Sequence, residues 1–262
     1  MSDPTSPILS TPPAVQLYTV REQLAADRAG VLAALAGFGY GAVEPFDVLT
    51  DAPGLRDDLD AAGLAVCAVH APVLSEDVDA LFDGARTVGA DTVIVPVAPP
   101  ERFGDRDAVT ALAAELNAVA SRAADVGLRL GYHNHDFEFT DVDGTPALVV
   151  LADALAPEVV LEVDTYWAAV AGQDVPALLR RLGDRVRYLH VKDGPVTRTD
   201  PMTAVGAGRM PVAEVLTANP AVEWRVVELD DCATDVLAAV GDSLDWLRDN
   251  GFAHPAGGGS DR

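Results

Sequence analysis

Seven ionisable residues sit where short apolar runs of the chain stop or just beyond them: Glu44, His70, His133, His135, Asp164, His190 and Glu228. Carboxylate oxygens with one or two imidazoles form a donor set suited to Mn²⁺, Mg²⁺, Co²⁺ or Zn²⁺, and no soft thiolate set competes with them. Four of the five histidines fall at such stops, a distribution not expected of surface filler. Asp164, His190 and Glu228 close consecutive runs, so they can face one ion without long loops. A fourth ligand is expected within residues 133–138. In HNH, His133 and His135 share strand parity and point the same way. Spacing leaves open which of them binds, and a turn would bring Glu138 inward instead. The metal set carried forward is His135, Asp164, His190 and Glu228. Glu44, His70, His133, Glu138 and Lys192 are the catalytic candidates, as proton carriers or substrate-orienting groups, with Lys192 placed to stabilise a developing oxyanion.

Each of these residues has a competing structural role. Asp164 can cap a helix that begins at D-T-x-W. His190 can be a core histidine bonded to backbone. Glu228 can serve a salt bridge, although its run VVEL is apolar and a buried carboxylate needs a partner. Glu162 shares the parity of Asp164 and reads as a supporting group or as the partner of a buried base. Tyr18, Tyr166 and Trp167 lie near the same stops, where a sugar ring can stack, although core filling is the base expectation for aromatic residues. Gly206-Ala207-Gly208-Arg209 follows the seventh run. Barrels often hold phosphate in that loop, which makes Arg209 a candidate anion contact.

What brings the stops together is alternation. Short β-rich runs at 14–20, 41–45, 64–72, 91–97, 126–135, 158–164, 186–193 and 223–230 are each followed by an Ala/Leu-rich stretch with helical spacing. The runs are largely apolar throughout, as strands buried on both faces are. Eight strand–helix units predict an α/β fold, a single (β/α)8 TIM barrel spanning 1–262 with its core at about 14–250. In such a barrel the C-terminal strand ends converge on one face. An open doubly wound sheet is the competitor, and the lack of GxGxxG after the first run removes its dinucleotide-binding version.

The totals agree with one well-packed domain: 262 residues, 49% hydrophobic. Lys plus Arg number 18 against 41 Asp plus Glu, a net charge of −23, which argues against nucleic acid as a partner. Cys67 and Cys232 are expected to be unpaired thiols. No run reaches the length of a membrane span and the Pro-rich start does not read as a signal peptide, so the expected location is cytoplasmic. The tail from His254 reads as frayed.

The pieces QLYTVR, GAVEPF, LRLGYHNHDFEF, EVDTYWA, YLHVKDG, VGAGRMP and VVELD, from Gln16 through Asp230, resemble the xylose-isomerase-like TIM barrels grouped as sugar phosphate isomerases/epimerases. The HNH form resembles the branch that includes inosose dehydratases. The resemblance implies one divalent metal held by a Glu, an Asp, a His and a second Glu. Asp164, His190 and Glu228 match the last three; the first Glu has no clean match, and YHNHDFEF stands in its place. The epimerase histidine three residues after the Asp is Trp167 here. The implied activity is metal-dependent isomerisation or epimerisation of a sugar or keto-sugar through an ene-diolate. Two alternatives stand beside it: a dehydratase or lyase on a keto-inositol or keto-glycoside, and a non-catalytic sugar-binding barrel. The expected partner is a small sugar-like molecule, with no nucleic acid and no membrane, and with self-association into a homo-oligomer left open.

Overall fold

Valine, isoleucine, leucine and alanine dominate the eight short runs, and the structure turns each into a parallel strand. The structure is a computed structural model and describes residues 11–74 and 77–253. The tail from His254, and most of the Pro-rich start, lie outside the described residues. The strands are β1 (Ala14–Gln16), β2 (Ala42–Glu44), β3 in two pieces (Ala65–Val66 and Val69–His70), β4 (Thr92–Val95), β5 (Arg129–His133), β6 (Val160–Asp164), β7 (Val186–Val191) and β8 (Trp224–Val227). Neighbours pair in parallel in chain order, and β8 returns to β1 through Ala14↔Val226 and Val15↔Val227. The sheet closes through β3, whose first piece pairs with β2 and whose second pairs with β4. The result is a near-closed (β/α)8 barrel, as the alternation predicts.

Helices α1 (Arg21–Phe38), α2 (Ala52–Ala62), α3 (Val78–Val88), α4 (Arg106–Asp125), α5 (Ala147–Ala154), α6 (Thr165–Val170), α7 (Val175–Leu182), α8 (Val212–Thr217) and α9 (Val236–Asp249) cover the outside. Six of them start at an aspartate whose carboxylate accepts a backbone N–H: Asp51, Asp77, Asp105, Asp164, Asp174 and Asp235. Each such cap contributes about 1 kcal/mol and suits the positive end of the helix dipole. Part of the acidity is therefore structural. The short helix α6 begins at D-T-x-W, where the sequence offered a start; one element was not anticipated, a small antiparallel hairpin, Asp141–Val142 with Thr145–Pro146, ahead of α5.

Period-2 alternation sorts the strand residues. Val15, Val43, Val69, Val93, Val95, Leu130, Leu161, Val163, Leu189 and Val227 join the large core shared with the helices. The other parity makes separate small clusters: Ala14, Ala42, Cys67 and Val226 in one, Ala68, Ile94, Val160 and Tyr188 in another. Gly131 shares this inner parity because a Cβ there would lie 2.4 Å from Ile94 Cδ1 and 3.1 Å from Val160 Cγ2. Two residues further along the same parity come Gln16, Glu44, His133, Glu162, His190 and Glu228. The alternation that builds the apolar floor also delivers a polar layer above it. Both cysteines are free thiols, Cys67 buried in that floor. Among the described residues, no helix is long and apolar enough to cross a membrane.

Candidate metal centre and active-site mouth

Strand register brings the polar layer into contact. Gln16 stands opposite Glu44, His133 opposite Glu162, and Asp164 opposite His190. Gln16 Nε2 donates to Glu44 Oε2 at 2.8 Å. His190 lies at the centre, with Nδ1 2.5 Å from Glu228 Oε2 and Nε2 2.8 Å from Glu44 Oε2 and 3.1 Å from Glu162 Oε2. His70 Nε2 is 2.6 Å from Glu162 Oε2, and His133 Nδ1 is 3.2 Å from the same oxygen. Lys192 Nζ, fully enclosed, contacts Asp164 Oδ2 at 2.8 Å, Glu228 Oε2 at 2.7 Å and Asp230 Oδ2 at 2.7 Å.

Charge in so enclosed a space shifts proton affinities by burial against partnership. Burial disfavours charge on His190, yet Glu162 and Glu228 outweigh it and hold the imidazolium well above its ordinary range. Burial likewise opposes the Lys192 ammonium, and Asp164, Glu228 and Asp230 overcome it. His133 goes the other way: burial, then the neighbouring His190, push it well below the usual histidine value. It is therefore a neutral imidazole at pH 7, the form that ligates metals. Glu44 is raised by burial and by Glu162. Glu228 stays ionised against burial through Lys192 and His190.

Two overlapping groups of donors lie within 4.8 Å of one another: His70, His133, Glu162 and His190, and His133, Asp164, His190 and Glu228. Both are buried. Glu44 Oε1 and Glu162 Oε1 are enclosed with no hydrogen bond, a costly arrangement that a cation nearby would relieve. Imidazole and carboxylate donors at this spacing fit a divalent ion.

The structure places each candidate. Glu44, His70, His133, Asp164, His190, Lys192 and Glu228 meet in this cluster. Asp164 combines its two anticipated roles: Oδ1 accepts from Trp167 N at 2.8 Å as the cap of α6, while Oδ2 faces Lys192. His135 stands apart from both donor groups. β5 ends at His133, so strand parity does not extend to residue 135, and its ring sits edge-on to His133 at 5.1 Å, at the rim. Glu138 is spent locally: it accepts from Tyr132 Oη at 3.0 Å and from His135 N at 2.8 Å. Tyr166 is buried, its hydroxyl on Thr197, while Tyr18 and Trp167 line the mouth.

Three residues carry the site without standing out in the sequence. Asn134 staples the strand ends, accepting from Asp164 N at 3.1 Å. Asp230 holds both Lys192 and Trp167 Nε1. Asp193 fills the loop after β7: its carboxylate accepts from the N–H groups of Gly194, Gly206, Gly208 and Met210. The middle N of HNH and the D of VELD were visible signals; the path of residues 194–210 was not.

Above the cluster opens a cavity of about 520 Å³, lined by Tyr18, Phe46, His70, Pro72, Pro96, Val97, His133, His135, Trp167, Glu228 and Asp230. A buried ionisable cluster at the C-terminal strand ends, opening into such a cavity, is where barrels of this kind carry out chemistry. The family model for xylose isomerase-like TIM barrels matches residues 32–250. The chain belongs to that family. Its fold is similar to a sugar phosphate isomerase/epimerase from Parabacteroides distasonis, at 21% identity over 93% of this chain and 95% of that one, with a TM-score of 0.80. It is also similar to a D-psicose 3-epimerase solved in the presence of D-fructose, at 14% identity over 91% and 99%, TM-score 0.66. A third is a xylose isomerase-like TIM barrel protein from Mycobacterium smegmatis in complex with magnesium, at 15% identity over 92% and 97%, TM-score 0.66. At these identities the likeness concerns the fold. A search of curated proteins finds no match.

Proposed function

We propose that this xylose isomerase-like barrel is a divalent-metal-dependent isomerase or epimerase acting on a sugar or keto-sugar through an ene-diolate. The observation that carries this reading is the convergence of His133, Asp164, His190 and Glu228 within 4.8 Å at the floor of a cavity. These four would hold the ion, His190 giving up its extra proton on binding, with His133 in place of the expected His135 because its ring lies inside the cluster. The related Mycobacterium smegmatis protein in complex with magnesium, and the relatives described as epimerases, support the same reading.

When bound, a divalent ion supplies Lewis-acid polarisation of a carbonyl and stabilisation of the ene-diolate. The chain's own residues manage the protons. His70 lines the cavity, and Glu162, 2.6 Å away, backs its Nε2 as a proton holder. His135 lines the cavity too, its Nδ1 without a hydrogen bond and 3.9 Å from Glu138. Glu138 acts as a positioning residue, fixing the backbone of His135 rather than touching substrate. Glu44, its proton affinity raised by burial and Glu162, lies 2.8 Å from His190 Nε2. Lys192 neutralises part of the carboxylate charge and lies beside any oxyanion formed above Asp164 and Glu228.

Loss of a β leaving group from the same enolate is the second reading. It is favoured by His135, whose side chain is 34% exposed at the mouth, where a departing group would need a proton. Metal analysis of the purified chain and product analysis with a keto-sugar panel test both. One bound ion, lost in Asp164→Asn, and a ratio of isomers are the expected results. Release of water or an aglycone selects the lyase. Absence of bound metal with unchanged behaviour of Asp164→Asn would sink the metalloenzyme reading.

A further inference from the structure

We propose that the substrate is an unphosphorylated sugar carrying an apolar substituent, aryl or alkyl, which rests on a hydrophobic shelf formed by Tyr18, Phe46 and Val97 at the cavity mouth. This deepens the reading above and rests on it.

The first observation is where exposed apolar surface collects. Among the described residues the exposed large hydrophobic side chains are Tyr18 (42%), Phe46 (37%), Leu49 (47%), Val97 (46%) and Val126 (40%). Isolated residues of this kind need no explanation, but three of these five line the cavity that also contains His70 and His133. They come from the loops after β1, β2 and β4, so the shelf is assembled by the fold and not by one apolar run. It is also held in place. Tyr18 and Phe46 meet edge to face at 5.4 Å, and the Arg21 guanidinium lies 4.2 Å from the Tyr18 ring centre. Trp167 faces the same space with its indole N–H already donated to Asp230, leaving the ring for stacking.

The second observation concerns charge. Among the described residues, the cavity lining contains Glu228 and Asp230 and no Lys or Arg. Lys192 beneath it is shared among three carboxylates. A phosphate dianion entering this mouth would meet carboxylates, and the nearby Arg21 guanidinium is already laid on the Tyr18 ring and bonded to the carbonyls of Tyr18 and Asp230. The loop after β7, where barrels commonly bind phosphate, has already given the N–H groups of Gly206, Gly208 and Met210 to Asp193. A Cβ on Gly208 would come within 2.2 Å of Asp193 Oδ1, so the carboxylate fills the cradle. Arg209, the anticipated anion contact, is exposed on that loop. The sugar then sits over the donor cluster, and what projects from it meets rings and a valine.

Calorimetric titration of the chain in Mn²⁺ with matched p-nitrophenyl and methyl glycosides of glucose, galactose, mannose and xylose tests the shelf. For at least one sugar the aryl glycoside is expected to bind tenfold or more tightly than the methyl glycoside. That ratio is expected to fall toward one in Tyr18→Ala/Phe46→Ala and to persist in Val126→Ala, which removes exposed apolar surface elsewhere. Glucose 6-phosphate is expected to bind no more tightly than glucose. A ratio near one for every sugar, no binding by either member of any pair, a ratio that survives the double substitution, or a preference for the phosphate each overturns the proposal. Metal content and turnover of unsubstituted keto-sugars are read separately, so the shelf can fail while the metal centre stands, and the reverse.

Discussion

Asp193 is buried, and four backbone amides point at its carboxylate. Removing the acceptor leaves several donors unsatisfied at about 1–3 kcal/mol each, less whatever water recovers. Asp193→Ala is therefore expected to lower the stability measured by urea unfolding by about 3 kcal/mol. Asp193→Asn should also destabilise, because an amide turns N–H groups toward N–H groups at one of the two oxygens. A loss under 1 kcal/mol in both variants would mean that the loop satisfies itself another way. At this scale the sequence was informative where a residue acts beside its own strand. Glu44, His70, Asp164, His190 and Glu228 could be picked out because a polar group closing an apolar run is conspicuous. No role for Asp193 was legible, because its partners lie up to 17 positions away on a loop whose path no periodicity encodes. The surroundings of Glu138 were hidden for a related reason: its partners, Tyr132 and the His135 backbone, are set by a 3-10 turn over Phe137–Phe139 that composition does not announce.

Among the elements, alternation was legible and boundaries were less so. The apolar run at 14–20 reads as one strand, but β1 stops at Gln16, whose side chain accepts from Tyr18 N and starts a 3-10 turn. That turn lifts Tyr18 out to the mouth. The helices depend on the same kind of local chemistry, and the first and last are joined by Tyr40, whose hydroxyl, just past α1, donates to Val240 O of α9 at 3.0 Å. Burial pushes the Tyr40 phenol far above the ordinary value of about 10. The sign follows from linkage. The unfolded phenol ionises above about pH 10 while the folded one keeps its proton, so stability present below that pH is lost as pH rises through it. Tyr40→Phe is expected to cost about 1 kcal/mol at pH 7 and to flatten the alkaline decline in unfolding midpoint between pH 9 and 11. An unchanged alkaline slope would show that Tyr40 does not contribute to it.

For the whole molecule, composition pointed to a well-packed core, and the charge of −23 now divides into parts. Six aspartates cap helices and several carboxylates build the polar layer, while the remainder repel one another at the surface. Screening weakens both that repulsion and the exposed pairs such as Arg122–Asp79. With 41 acids against 18 bases, repulsion should dominate. The thermal midpoint is expected to rise between 20 and 300 mM NaCl, at about 2–4 °C per kcal/mol for a chain of this size. A falling midpoint would put the ion pairs ahead.

The divided third strand has a mechanical consequence. Ala65–Val66 fasten to β2 and Val69–His70 to β4, with Cys67 N also donating to Val43 O at 3.0 Å and His70 N to Pro45 O at 2.8 Å. One segment thus serves both margins of the sheet, like a buckle on a hoop. A hoop fastened this way offers little loose hem from which to peel a strand, and little template on which another copy could align its own. Loss of the fold should therefore begin where the outer helices lift away, with the strands giving way together afterwards.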